Sequence, residues 1–482
     1  MSNFIKITTQ IQEIKKDFTT PLGAMAKYSK GEGVFINEDF FGKDKKEITD
    51  TDIAESLLKI EKELENIKKL KLSLKDDDLS PVEKKFVLNS LNIAGLKFIM
   101  FKSSVYLEAE KAGYKLSIED RGKYLQTTNR LQNIFYGPEI SENPEESAQI
   151  ISSLQDLLDK NTDKIRSEEA ETLQNFIDSF GIPKIELKEN KDKNNFKGRF
   201  ISKEKFKQVF TMVLDLYTLD GWEISIENVD NFSVKKEKKQ IVCPESKLET
   251  THLKRVFQLM DHEVGVHGNK GYNTNKTTKS TGEGYTEGEE GFATMTELLF
   301  DNTIDEITVL PTIHHITTFI AENRNGEETR KILEIYFKLT GLGEEKAQKE
   351  ALDRMLRVKR FVSLNEIGAN RKDVSYTRGQ SQIVDFFQKA SDETRKEFLK
   401  DFYYSKLAFE DIGLVKEFRE SLAVDESELR YPLWVGKILY KKLSGEKIFL
   451  KSLQEEDFRF KNIEKLEFST KRKIINILNL LK

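Results

Sequence analysis

Residues 261–272 read DHEVGVHGNKGY. Two of the chain's five histidines fall here, with a glutamate directly after the first. Upstream, Leu253, Val256, Phe257, Met260 and Val264 recur at three- and four-residue steps, the pattern of one apolar helix stripe. Ser246, with Glu249 three residues on, gives the signature of a helix start after Pro244. The spacing predicts a helix over 247 to about 266 that ends among Gly265, Gly268 and Gly271, with His262 and His267 in its last turns. An α-helix advances about 100° per residue, so side chains four apart lie about 40° from each other and can grip one ion. Five apart, as here, they lie about 140° from each other. A single π-type turn, closing i to i+5, absorbs the extra residue and returns both rings to one face. Gly265, between the histidines, eases that distortion.

A catalytic zinc site takes three protein ligands and keeps one position open. The stretch GYTEGEEGFATMTELLF, 284–300, offers the third. Thr286 and Glu289 have the spacing of a capping box, and Phe292, Met295 and Leu299 form a core-facing stripe. Glu290 falls in the first turn of that helix and is assigned as the third ligand beside His262 and His267. Glu297, further along the same helix, is placed to orient a histidine ring. Glu263, next to a ligand, suits the general base that takes a proton from water and passes it to a leaving amine. His314 and His315 follow Pro311 without a carboxylate pattern and read as structural.

The remaining composition bounds the setting. A chain of 482 residues implies two to four structural units. It is 38% apolar and 33% charged, with a formal net charge of −4, which argues against nucleic acid or an anionic membrane as main partner. Runs such as KKLKLSLK near residue 70 read as solvated helix faces. One cysteine, Cys243, excludes an internal disulfide and a thiolate cluster. The opening MSNFIKITTQIQEIKKDF has no apolar core of signal-peptide length, and no stretch approaches the ~20 apolar residues of a membrane helix. A cytoplasmic location is the expectation.

The predicted fold class is α+β, predominantly helical, with a small β-sheet in the catalytic core and helical regions on both sides. The predicted divisions are 1–185, helical; 186–400, the catalytic core; and 401–482, helical. Ser80 and Pro81 mark a helix start. Residues 180–200 read as a polar linker or exposed excursion. GWEISIENV and NFSVKKEKKQIVCP supply the clearest strands, the second as a hairpin. The glycine-rich stretch 268–286 reads as a long loop beside the metal.

These motifs resemble known families. EEGFA is similar to the helix that supplies the third zinc ligand in gluzincin peptidases, where the glutamate before the glycine binds metal, and this supports Glu290 over Glu289. An HExxxH helix also occurs in dipeptidyl peptidase III, whose glutamate motif lies further downstream. The order HEVGVH, GEEGFA, RKDVSYTRG more closely resembles the family that includes the vertebrate microtubule-associated tyrosine carboxypeptidases, with its HEIGTH, TEEGLA and KDxxYLxG. LQNIFYGPEI (131–140) and YYSKLAFEDIGLVKEF (403–418) are weaker echoes. The sequence departs from that pattern at Thr377 after the tyrosine, and at Asn370.

The resemblance implies a zinc metallocarboxypeptidase that removes a C-terminal residue, tyrosine in the vertebrate members, from peptide or protein tails. Such an enzyme needs a cation for the terminal carboxylate. RMLRVKRF offers Arg354, Arg357, Lys359 and Arg360, and NRKDVSYTRG adds Arg371, Lys372 and Arg378. Arg357, Lys372 and Arg378 are the substrate-binding candidates, with Arg357 or Lys372 preferred. Tyr376 would donate to the oxyanion, with Asp373 holding it or a lysine in place. WEISIENV could receive an extended peptide along its edge. Two alternatives stay open: an aminopeptidase or dipeptidyl peptidase on the same plan, and a non-catalytic regulatory protein with a structural zinc.

Overall fold

The computed structural model describes residues 4, 6–11, 50–74, 79–111, 115–192, 196, 198–229, 232–248, 250–278, 285–360, 362, 364–422, 424–444 and 468–481. Most of them are helical. Three helices lead: α1 (Asp50–Ser73), α2 (Pro81–Lys111) and α3 (Ile118–Tyr136). Helix α2 opens as its sequence predicts. The Glu83 amide donates to Ser80 Oγ at 3.4 Å, the Ser80 amide donates to Glu83 Oε2 at 2.8 Å, and Pro81 takes the first helical position. Next come α4 (Pro144–Asn161) and α5 (Ser167–Asp178). The stretch after them has, among its described residues, none that belongs to a helix or a strand. It is pinned rather than loose: Asn190 exchanges two hydrogen bonds with the Thr308 backbone, at 2.6 and 2.9 Å, and the Lys191 amide donates to Asn302 Oδ1 at 2.9 Å.

Helix α6 (Lys203–Leu216) buries Phe206, Val209, Phe210, Val213 and Leu214 behind a three-stranded sheet. Its strands are β1 (Glu223–Glu227), β2 (Ser233–Lys235) and β3 (Gln240–Pro244), in the order β1-β3-β2. The expected hairpin is β2 against β3, antiparallel, with Lys239 at φ 51° in its turn. β1 runs parallel to β3, pairing Ile224 with Ile241 and Ile226 with Cys243. β3 is central, so Ile241, Val242 and Cys243 are all buried.

The metal-helix region differs from its expected limits at both ends. A single turn, Glu245–Leu248, follows β3, and the long helix starts only at Leu253. Its cap is His252, whose Nδ1 accepts from the Arg255 amide at 3.2 Å, rather than Ser246; Glu249 lies outside the described residues. The helix then continues without a break as α7 (Leu253–Leu259), a π segment (Met260–Gly268) and α8 (Asn269–Lys276). The glycines do not stop it. They let it lie close to its neighbours: a Cβ on Gly268 would meet Leu219 at 3.4 Å, and one on Gly271 would meet Trp222 at 3.1 Å. The expected loop is therefore helical up to Lys276, and 279–284 lie outside the described residues.

Helix α9 (Tyr285–Leu298) carries the glutamates. Beyond it are α10 (Ile313–Asn323), α11 (Gly326–Leu339), α12 (Glu344–Val358), α13 (Val374–Lys389), α14 (Asp392–Phe402), α15 (Val415–Leu422), α16 (Val435–Leu443) and α17 (Phe468–Leu481). α9 and α13 touch backbone to backbone: a Cβ on Gly291 would stand 2.2 Å from the Gly379 carbonyl carbon. α16 meets α7 the same way, at Gly436 against the Phe257 carbonyl. Both Asp261 carboxylate oxygens accept from the amides that start α16, Gly436 and Lys437, at 2.9 Å each.

The apolar clusters join segments far apart in the chain. Phe206, Phe210, Ile241 and Phe257 pack with Leu439 and Ile477. Phe4, Phe86 and Leu91 pack with Tyr404 and Phe418. Ile150, Leu154 and Phe176 pack with Phe319 and Leu333. A fourth cluster holds Val266, Phe292, Phe387, Phe402 and Trp434 under the site. The architecture is predominantly helical α+β, as the sequence predicts. Among the described residues, no helix is long and apolar enough to cross a membrane.

Candidate metal centre

The nine residues Met260–Gly268 form a π-helix, and this brings the two histidines together. The ring centroids of His262 and His267 are 4.9 Å apart. Glu290 Oε2, reaching over from α9, lies 3.7 Å from His262 Nε2 and 3.5 Å from His267 Nε2. The three ligand atoms lie within 4.8 Å of one another. A tetrahedral ion bound at about 2.0 Å spaces its ligand atoms by roughly 3.3 Å, so this donor set fits a zinc-like ion after a small inward adjustment.

The outer ring nitrogens are fixed by carboxylates. His262 Nδ1 lies 2.6 Å from Glu297 Oε1, and His267 Nδ1 lies 2.6 Å from Glu289 Oε1. An ionised carboxylate only accepts, so each Nδ1 carries a proton, and a ring that binds a metal would do so through Nε2. Arg255 pairs with Glu297, and the buried Lys406 pairs with Glu289. The capping role expected of Glu289 is thus replaced: its side chain turns inward to His267 instead of back along its own helix. Adjacent residues on a helix point about 100° apart, so Glu289 and Glu290 serve different atoms of the same site.

Electrostatics follow from this packing. Burial disfavours a protonated His262, but Glu290 and Glu297 outweigh it and raise the ring to about 10. His267, likewise buried, is raised to about 9 by Glu290 and Glu289. The carboxylates move the other way. Burial opposes their charge, yet Lys406 and His267 hold Glu289 at about 2, and Arg255 and His262 hold Glu297 at about 2. Glu290 is held well below the usual carboxylate range by the two imidazoles. Without an ion, two imidazolium rings supply the positive charge that these carboxylates require. Glu263 is buried, with Oε1 3.9 Å from His262 Nε2.

The remaining candidates lie along α13 and beside it. Tyr376 is half-buried, and its phenol is pushed up by burial, then by the charges of Glu290 and Asp373, so it is within electrostatic range of both. Arg357 forks onto Asp373, with Nε at 2.5 Å and Nη2 at 2.9 Å. Asp373 therefore holds an arginine. His314 lies 3.7 Å from the same carboxylate and 3.1 Å from Arg354. His315 is buried beside Glu146. Lys359 is buried and donates to four backbone carbonyls, and Arg371 is buried with Nη2 on the Asn129 carbonyl.

Arg378 is engaged with residues outside the triad of His262, His267 and Glu290. Nε and Nη2 donate to Glu146 at 3.1 and 2.9 Å, and Nη1 donates to the Tyr136 carbonyl at 2.6 Å. It clamps α13 to α4 and to the turn at Gly137. That turn needs its glycine: φ is 79°, and a Cβ would stand 2.7 Å from Arg378 Nη1.

Lys372 faces a cavity of about 710 Å³. Its walls include Lys97, the aromatic turn Phe135–Tyr136, Thr286, Ser375 and Phe409. From α9 the cavity takes Thr286, Glu287 and Gly288, and from α13 Ser375 and Arg378; His262, His267, Glu290, Glu263 and Tyr376 are not among its lining residues. The Lys372 ammonium is lowered by its enclosed position; Asp373 opposes this, and Arg360, Arg357 and Lys97 add to it. The side chain as a whole is exposed, so water reaches it through the mouth of the cavity while the protein encloses it on the other sides.

Comparison with protein families decides the class. The family model described as microtubule-associated tyrosine carboxypeptidase matches residues 155–445. The chain belongs to that family. The match spans the sheet, the π segment, α9 and α13, and leaves α1–α3 and residues 131–140 outside. Membership places the chain among carboxypeptidase-like enzymes. Neither a curated protein nor a solved structure matches it.

Proposed function

We propose that this protein is a zinc-dependent carboxypeptidase that removes the terminal residue from peptide or protein tails. The observation that carries the reading is the convergence of His262, His267 and Glu290, made by the π segment, in a chain of this family. His262, His267 and Glu290 would hold one zinc ion, which would supply Lewis acidity toward a water and a scissile carbonyl. Glu263, one residue after the first histidine, takes the proton of the attacking water and delivers it to the departing amine. Tyr376, kept protonated by burial and by nearby carboxylates, donates a hydrogen bond to the oxyanion.

Of the three cations, Lys372 is best supported as the carboxylate partner. Arg357 is forked onto Asp373 and Arg378 onto Glu146. Lys372 faces the cavity with Arg357, Arg360 and Lys97 nearby, and an entering carboxylate would relieve that positive charge. The aromatic wall of Phe135, Tyr136 and Phe409 suits an aromatic terminal residue, in line with the family's description. The cytoplasm is the proposed location.

The test is mass spectrometry of peptides with free or amidated C-termini, with wild type and Glu263→Gln. Wild type with zinc should shorten only the free acids by one residue, and Glu263→Gln should bind zinc and leave them intact. Equal cleavage of amidated peptides, or residues lost from the N-terminus, would overturn the proposal.

A further inference from the structure

Behind the candidate metal centre, residues 402–406 form a strap along the π segment at Gly265 and along α8. The contacts that fix it include four hydrogen bonds. Tyr403 Oη donates to the Gly265 carbonyl at 3.1 Å, inside the π-turn. Asn273 Nδ2 donates to the Tyr403 carbonyl at 2.6 Å. Lys270 Nζ, fully buried, donates to the Phe402 carbonyl at 2.7 Å. The Lys406 amide donates to Thr274 Oγ1 at 2.8 Å. The strap thereby delivers the Lys406 ammonium to Glu289 Oε1, the same oxygen that faces His267 Nδ1.

We infer that Lys406 is a positioning residue for the metal centre, acting through Glu289 on His267. Glu289 is 1% exposed and its second oxygen has no hydrogen-bond partner, so the carboxylate depends on Lys406 and His267 to remain charged in place. With the ammonium present, Oε1 is a fixed acceptor for Nδ1–H, and His267 presents its Nε2 lone pair toward Glu290 and His262. Removing the ammonium leaves the buried carboxylate with His267 as its hydrogen-bond partner and only the charge of Lys270 beside it, and the imidazole faces an acceptor no longer pinned from the other side. Lys406 touches no ligand atom of the triad. Its effect passes through one carboxylate, whereas Arg255 acts on the other histidine through Glu297.

The inference rests on the metal-binding reading above, and its test reads metal affinity rather than cleavage. Zinc affinity would be measured by chelator competition for wild type, Lys406→Met, Glu289→Gln, the double variant and Glu297→Gln, with circular dichroism to confirm folding. Lys406→Met and Glu289→Gln should each weaken zinc by about 10- to 100-fold, as is typical for outer partners of a ligand. The double variant should be no weaker than the worse single one, because both act along one path. Combining Glu297→Gln with either should add an independent loss. Unchanged affinity in a folded Lys406→Met, or additive losses in the double variant, would overturn the inference while leaving the proposed activity standing. Failure of wild type to bind zinc at all would overturn both. If Lys406→Met does not fold, ¹⁵N spectra of zinc-loaded wild type decide: His267 should carry its proton on Nδ1, and a proton on Nε2 would refute the scheme.

Discussion

Gly291→Ala tests how tightly the metal helix pair is tied to the rest of the site. A Cβ there would stand 2.2 Å from the Gly379 carbonyl carbon and 2.5 Å from the Gln380 amide nitrogen, both main-chain atoms that no rotamer change can remove. Restoring a carbon contact of ~3.5 Å requires α9 and α13 to part by about 1.3 Å. Helix α9 is the less free to move, because Glu289 and Glu297 bind it to both histidines. Helix α13 must therefore yield, taking Tyr376, and Lys372 in the turn just before it, away from the triad while leaving His262, His267 and Glu290 together. A displacement of about 1 Å at a reacting centre costs on the order of 100-fold in rate, and overpacking of this kind costs about 1–3 kcal/mol in stability. The assay is kcat on a free-acid peptide beside chelator-measured zinc affinity and chemical unfolding. Expected are a loss of about 100-fold in kcat and a zinc affinity held within ~10-fold. Gly122→Ala is the control, since nothing lies within 4 Å of its added Cβ, and it should stabilise α3 by ~0.5–1 kcal/mol. Full activity and stability in Gly291→Ala would show that the crossing does not set the site.

Other outcomes follow from the same geometry. In the metal-free protein both histidines are raised above the unfolded value of 6.5, so their stabilisation is fully present below about pH 6.5 and is lost as pH rises through about 9 and 10. Thermal scans in chelator should show Tm falling over that window, and a flat or rising profile would contradict the charge assignment. Zinc competes with those protons, so its affinity should weaken as pH falls, with about two protons released per ion by calorimetry in several buffers. Lys372→Met should lower kcat/KM on free-acid peptides by about 10- to 150-fold, the worth of one charge-assisted hydrogen bond, mainly through KM; a loss confined to kcat would place the carboxylate elsewhere. Gly137→Ala should cost about 1–3 kcal/mol in urea unfolding, because φ 79° and ψ −179° suit glycine alone.

The parts of this site that rest on local spacing were legible in the sequence. Five steps between histidines force a π-turn if both rings are to share an ion, and rotation per residue is enough to see it. Glu297, expected from helix spacing to orient one of the histidine rings, meets His262. The hairpin and the cap at Ser80 are equally local. What escaped depends on neighbours distant in the chain. Gly268 and Gly271 look like a helix end, but they are small because Leu219 and Trp222 press on them. Glu289 looks like a cap until Lys406, 117 positions away, supplies its counter-charge. Arg378 looks available until Glu146, 232 positions away, fills its fork. His252 as a cap had no signal beyond its own hydrogen-bonding nitrogen. Composition and periodicity do not encode such pairings.

The sheet and the metal helix share their apolar interior with Leu439, Tyr440, Ile474 and Ile477. A ribosome releases those side chains after every metal ligand, Glu263 and Tyr376 have already emerged. During synthesis, then, the cluster of α6 and β3 stays incomplete until α16 and α17 arrive to join it. A product cut short before residue 435 would hold the whole chemical apparatus without the lining that organises it.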